Sequence, residues 1–168
     1  TAEGIGVNIT VNFGLFQELR FAEVIRQSSA ALVAYLTIMN GRLAFPVRDE
    51  LLAKLSKLTK HGIDETRAKE GAAWAGVAVT KRLHRLLLST GYDLTRVRPL
   101  VASLRWYQGA GYERLPTSFP DITEDLGVSV ITVFPNIRRP FDAMSSIALD
   151  GHCIDQEVPE EALNVLSY

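Results

Sequence analysis

Cations recur at helical spacing through the middle of this chain. Lys54, Lys57 and Lys60 stand three apart, and Lys81 and Arg85 stand four apart with Arg82 between them. Arg96, Arg98 and Arg105 follow. Spacings of three and four put side chains on one face of a helix. A diffuse face of ammonium and guanidinium groups is what a phosphate backbone requires. Next comes Arg105-Trp106-Tyr107-Gln108-Gly109-Ala110-Gly111-Tyr112-Glu113-Arg114, with aromatic rings beside arginines on a glycine-containing stretch. Rings of this kind stack on unpaired bases while arginines hold phosphates. The expected nucleic-acid-binding set is therefore Lys54, Lys57, Lys60, Lys81, Arg82, Arg85, Arg96, Arg98, Arg105, Trp106, Tyr107, Tyr112 and Arg114. The plainer readings are a solvated basic face, and Trp106 and Tyr107 anchoring a helix end in the core.

Other chemistries find less to work with. Gly109-Ala110-Gly111 is too short for a phosphate-cradling loop, and no nucleophile elbow occurs. Asp150-Gly151-His152-Cys153-Ile154-Asp155 gathers metal-ligating types, but a closed shell needs a second cluster. His152 and Cys153 are sequence neighbours whose side chains point apart in an extended segment, which argues against a nucleophilic pair. The adjacent acids Glu124-Asp125 and Glu160-Glu161 read as solvated surface or helix starts. Ala72, Ala75, Gly76 and Val77 imitate a helix-turn-helix turn, but Arg82 and Arg85 fall where such a motif packs inward. No cofactor, metal or catalytic residue is expected.

Composition sets the frame for these groups. The chain has 168 residues, 47% of them hydrophobic and 22% charged, with 12 glycines, 7 prolines and one cysteine. Disordered, collagen-like and disulfide-stapled classes are excluded. No apolar run is long enough for a membrane span. The single Cys153 and the absence of a basic, apolar leader point to a cytoplasmic protein. A net charge of −1 conceals segregation: residues 42–114 carry +7 and residues 115–168 carry −7. Such asymmetry points to a polyanionic partner or to contact between copies.

The elements that must position these residues follow from periodicity. Ile5, Val7, Ile9, Val11 and Phe13 alternate with small or polar residues, which predicts a half-buried strand. Phe21, Ile25, Ser28, Leu32, Leu36 and Met39 follow helical spacing, with Asn40-Gly41 as a cap. The alternative is a hairpin turning at Asn40-Gly41. Leu43, Phe45 and Val47 read as a short strand. Helices are predicted over about 49–61, 64–89 and 94–107, with Pro99 in the first turn of the last. Val128–Phe134 reads as a second clear strand, and Pro159 as the start of a short helix. The expected fold is α+β and helix-rich: three or four packed helices, a small antiparallel or mixed sheet, and a C-terminal arm. Residues 1–135 form one globular domain with a basic helical middle, and 136–168 an acidic arm or tail.

The function expected from these features is a non-enzymatic, self-associating nucleic-acid-binding protein of structural or packaging type. A protein–protein adaptor and a small enzyme with a dispersed site are the alternatives. The basic face makes a direct prediction: RNA and DNA bind at low salt and are released steeply as salt rises, more so once residues 136–168 are removed. Absence of binding at low salt in a fluorescence titration ends this reading.

Overall fold

The computed structural model describes residues 4–28, 32–144 and 149–168. Its elements alternate. Strand β1 (Val7–Asn12) leads to helix α1 (Leu15–Gln27), and β2 (Ala34–Met39) runs directly into α2 (Asn40–Ala53). A short α3 (Leu55–Leu58) and a 3-10 turn at Thr59–His61 precede α4 (Glu65–Ala73) and α5 (Ala75–Ser89). Then come β3 (Val97–Ala102), α6 (Pro120–Thr123), β4 (Val130–Ile131), α7 (Pro135–Asp142), a 3-10 turn at Cys153–Asp155 and α8 (Glu160–Leu166).

The strands form one sheet in the order β1-β2-β3-β4, and every pair is parallel. Each crossover steps in the same direction, and parallel crossovers are right-handed, so the connecting helices all lie on one face. The core shows this. Leu36, Ile38 and Val97 pack with Ala22 of α1 and with Leu83 and Leu87 of α5. Beyond β3, Val101 and Leu104 pack with Phe119, Ile122 and Ile137. The opposite face carries Asn8, Tyr35, Thr37, Arg98 and Leu100, and none of these joins an apolar cluster among the described residues. Across it Thr37 Oγ1 donates to Asn8 Oδ1 at 2.5 Å.

This α/β architecture replaces the expected helix-rich α+β fold with an antiparallel or mixed sheet. Two segments carry the difference. The helix expected through Met39 ends at Gln27, and Ala34–Met39 is a strand. Residues 29–31 of that expected helix, like 145–148 of the expected arm, lie outside the described residues. Asn40-Gly41 neither closes a helix nor turns a hairpin but opens α2, so Leu43, Phe45 and Val47 are helical. The helix expected over 94–107 is strand β3 followed by irregular chain, with Pro99 paired to Leu36 in mid-strand. Both strands are short and mostly apolar, with Thr37 and Arg98 as their polar members, and they lack the clear alternation of β1. Periodicity does not separate such a run from a helix.

The helix expected over 64–89 is two helices with the single residue Trp74 between them, not a turn of three or four residues. Asp64 caps α4 by accepting from the Arg67 amide at 2.8 Å. The C-terminal residues pack in cis: Ile154, Val158, Ala162 and Val165 are buried, and Val165 lies over Gly71 of α4. Lys81 of α5 is wholly buried and holds this segment by its backbone, donating to the Cys153 carbonyl and, at 3.3 Å, to that of Gln156.

The start of α5 crosses the start of α2 at Gly76. A Cβ there would stand 2.5 Å from the Asn40 Cα, with backbone rather than a flexible side chain in the way. Gly76→Ala therefore forces the helices apart and costs about 1–3 kcal/mol, despite the better helix propensity of alanine. Urea denaturation of the variant checks this.

Candidate functional site at the carboxyl edge of the sheet

In parallel α/β sheets the carboxyl ends of the strands are where ligands bind, because the loops and helix N-termini converge there. The non-glycine residues of positive φ among the described residues, and several of the buried polar groups, stand at that edge. Near the end of β1 the pairing register slips between Ile9 and Asn12, and Val11 adopts φ +64°. A β-branched residue in the left-handed region is strained. Asn12 follows, buried, and Glu18 in the next helix is fully buried with neither carboxylate oxygen satisfied by a geometric hydrogen bond. Burial raises the Glu18 pKa to about 7, against the opposing pull of Asn12.

At the end of β2 stands Asn40, fully buried. Its Nδ2 donates to Asp125 Oδ2 at 2.6 Å, and its Oδ1 accepts from the Thr80 hydroxyl at 3.0 Å. At the end of β3 stands Ser103, buried and with φ +61°. The Ser103 carbonyl accepts from the Gly41 amide at 3.2 Å, which ties β3 to the first turn of α2. Gly41 has no room for a side chain: a Cβ would meet Arg105 Cγ at 2.3 Å and the Ser103 carbonyl at 2.4 Å. The Arg105 guanidinium crosses this turn and lies over the Phe45 ring, 5.0 Å from its centroid. The first turn of α2 has no acid and carries Arg42.

Two carboxylates close the cluster from the β3–β4 connection. Asp121 Oδ2 accepts from the Arg105 amide at 2.9 Å, while its Oδ1 has no partner. Burial raises its pKa to about 7, opposed by the Arg105 amide and charge. Asp125 is pushed up further by burial and by the neighbouring charge of Asp121. The same surroundings raise the Tyr107 phenol, first through burial and then through Asp121. Acids poised near neutrality exchange protons readily, and perturbed groups of this kind concentrate at functional sites.

The residues expected to bind nucleic acid are dispersed. Lys57, Lys60 and Arg82 are exposed. Lys54 is paired with Glu50 at 2.7 Å, Arg85 with Glu157, and Arg114 with Glu70, whose Oε2 accepts from Arg114 Nε at 2.8 Å. Lys81 is buried. Arg96 donates to the carbonyls of Ile25 and Ser28, and Arg98 to that of Thr95 at 3.1 Å. These two flank the amino end of β3 and Arg105 the carboxyl end, so the strand separates them by about 20 Å. Trp106 stacks on Phe119 with centroids 5.8 Å apart, and the buried Tyr107 meets Tyr112 at 5.4 Å. Arg105 and Tyr107 are the members of the set that enter the carboxyl-edge cluster. The remainder of that cluster, Asn12, Glu18, Asn40, Ser103, Asp121 and Asp125, was missed. Its sequence signal is a polar residue placed directly after an apolar run, as in Met39-Asn40 and Ala102-Ser103.

Among the described residues no group of three or more histidines, cysteines and acids could hold a metal ion, and no helix is long and apolar enough to cross a membrane. No protein-family model, curated protein or solved structure matches the chain.

The raised acids tie stability to pH with a definite sign. Folded Glu18 and Asp121 keep their protons up to about pH 7 and the unfolded chain loses them near pH 4, so the folded state holds more protons between those values. Their contribution is complete below pH 4 and is lost as pH rises to 7. Each carries at most about 3–4 kcal/mol by linkage. Urea titrations between pH 5 and 8 check this: Asp121→Asn and Glu18→Gln each flatten the decline, and the double variant flattens it most.

Proposed function

We propose that the carboxyl edge of this sheet binds a small anionic molecule and acts on it by acid–base chemistry. The observation that carries this reading is the presence, along the ends of β1, β2 and β3, of two strained non-glycine residues and of buried carboxyls that each leave an oxygen without a hydrogen bond. Among the described residues Val11 and Ser103 are the non-glycine residues of positive φ, and both stand at strand ends beside buried polar side chains. Strain and unpaired buried polar atoms are kept where the surroundings enforce them, and they cluster at active sites and ligand clamps. Anion preference is supported by the start of the 14-residue α2, whose dipole is positive at that end and is joined there by Arg42 and by Arg105, which keeps donors beyond the Nη1 that bonds the Ser103 and Leu104 carbonyls. Glu18 and Asp121, titrating near neutrality, are the groups suited to move protons. The small-enzyme reading of the sequence is thus favoured over nucleic-acid binding, because Lys81, Arg85, Arg96 and Arg114 are engaged internally.

Amide-resolved NMR titration tests this. Inorganic phosphate, citrate and a neutral sugar are added to the protein at millimolar concentrations. The anions are expected to shift the amides of Gly41, Ser103 and Arg105 saturably, and the sugar is expected to leave them in place. Arg105→Met should weaken anion binding at least tenfold while the melting temperature stays within a few degrees. Anions that shift other regions only, or none, would overturn the reading.

A further inference from the structure

A parallel sheet with helices on one face only is half of a recurring arrangement. All-parallel sheets are covered on both faces or closed on themselves, and closure of sequential βα units takes eight strands. This chain contributes four, in order and of one polarity, with β1 and β4 as the edges among the described residues. We infer that two copies close an eight-stranded parallel barrel, with β1 of each beside β4 of the other. A twofold axis along the barrel makes the two joints identical and leaves no open end to propagate.

The surface of the first flank fits this role. Val11, Phe16, Phe21 and Val24 of β1 and α1 are exposed, Phe16 by 78%. An apolar groove of about 350 Å³ runs beside them, lined by Val7, Ile9, Phe21 and Val24. On the second flank Phe134, at the start of α7, is 56% exposed. At roughly 100 Å² apiece over two joints, the first flank supplies on the order of 800 Å² of apolar surface. Phe134 of the facing flank adds about 200 Å², which brings the total to roughly 1,000 Å², the least that a specific interface needs. Closure also gives the polar face of the sheet an interior. Asn8, Thr37 and Arg98 then line the barrel, and the carboxyl-edge clusters of both copies open on one mouth. The association rests on strand order and exposed flanks, not on the proposed ligand, so the two readings fail separately.

Light scattering after gel filtration reads the outcome at tens of micromolar. The full chain is expected at twice its 18.6 kDa mass. Phe16→Asp/Val24→Asp on one flank and Phe134→Asp on the other are each expected to give folded monomers by circular dichroism. Mixing the two variants should restore a dimer, because one joint then has both of its faces intact. Hydrogen exchange supplies a reading that needs no variant: the β1 amides directed away from β2 should be protected in the wild-type chain. A wild-type monomer, open-ended polymers, a dimer indifferent to both flanks, or unprotected outer β1 amides would overturn the inference.

Discussion

The handedness of the crossovers governs this molecule. A right-handed connection between parallel strands leaves no choice of face once the direction of travel along the sheet is set. Here that direction does not reverse, and the order β1-β2-β3-β4 follows from it. The helices collect on one side, where Leu36, Ile38, Val97 and Val101 meet them. The other side keeps hydrogen-bonding and charged side chains such as Asn8, Thr37 and Arg98. All strand ends point the same way, so whatever follows each strand arrives at the same rim.

Asn40 shows how that rim is built. Helix α2 begins with no loop between itself and β2, so its first residues stand where a strand has just ended. The side chain of Asn40 uses both ends of its amide, one toward Asp125 and one toward Thr80, which links the β3–β4 connection to α5. Gly41 and Gly76 allow the neighbouring backbones to come close enough for those bonds. An amide can donate and accept at once, whereas a carboxylate in its place would face Asp125 with like charge. Burial favours the neutral form of the rim acids, and each has a donor close by.

Much of the secondary structure was legible in the residues. The alternation of Ile5 to Phe13 located β1, and the leucine stripes located the middle helices. Asp64 marked the start of α4, and Pro159 that of α8. The sheet type was not legible by periodicity, because Ala34–Met39 and Val97–Ala102 are six residues each and apolar side chains such as Tyr35 and Leu100 stand on the second face as well, which blurs the strand pattern. Pro99 strengthened the wrong reading, since a proline near the start of an apolar stretch resembles the first turn of a helix. The signal that would have corrected both is the regular succession of strand and helix along the chain. The rim was hidden for another reason. Glu18, Asp121 and Asp125 lie in segments that look solvated when read locally, and only the tertiary path shows that they are inside. The basic residues misdirected in the opposite sense, since the charge of Lys81 suggests a solvent-facing side chain and it is wholly buried.

That lysine also sets an order in time. Its ammonium group is removed from water beneath carbonyl groups 72 and 75 positions further along the chain. A nascent chain leaving the ribosome through α5 has no such carbonyls to offer, and burying an uncompensated cation is costly. Helix α5 therefore waits, its inward face incompletely sealed, until residues 153–156 have been made. Docking of residues 153–156 beneath α5 is thus a late step in the folding of this domain.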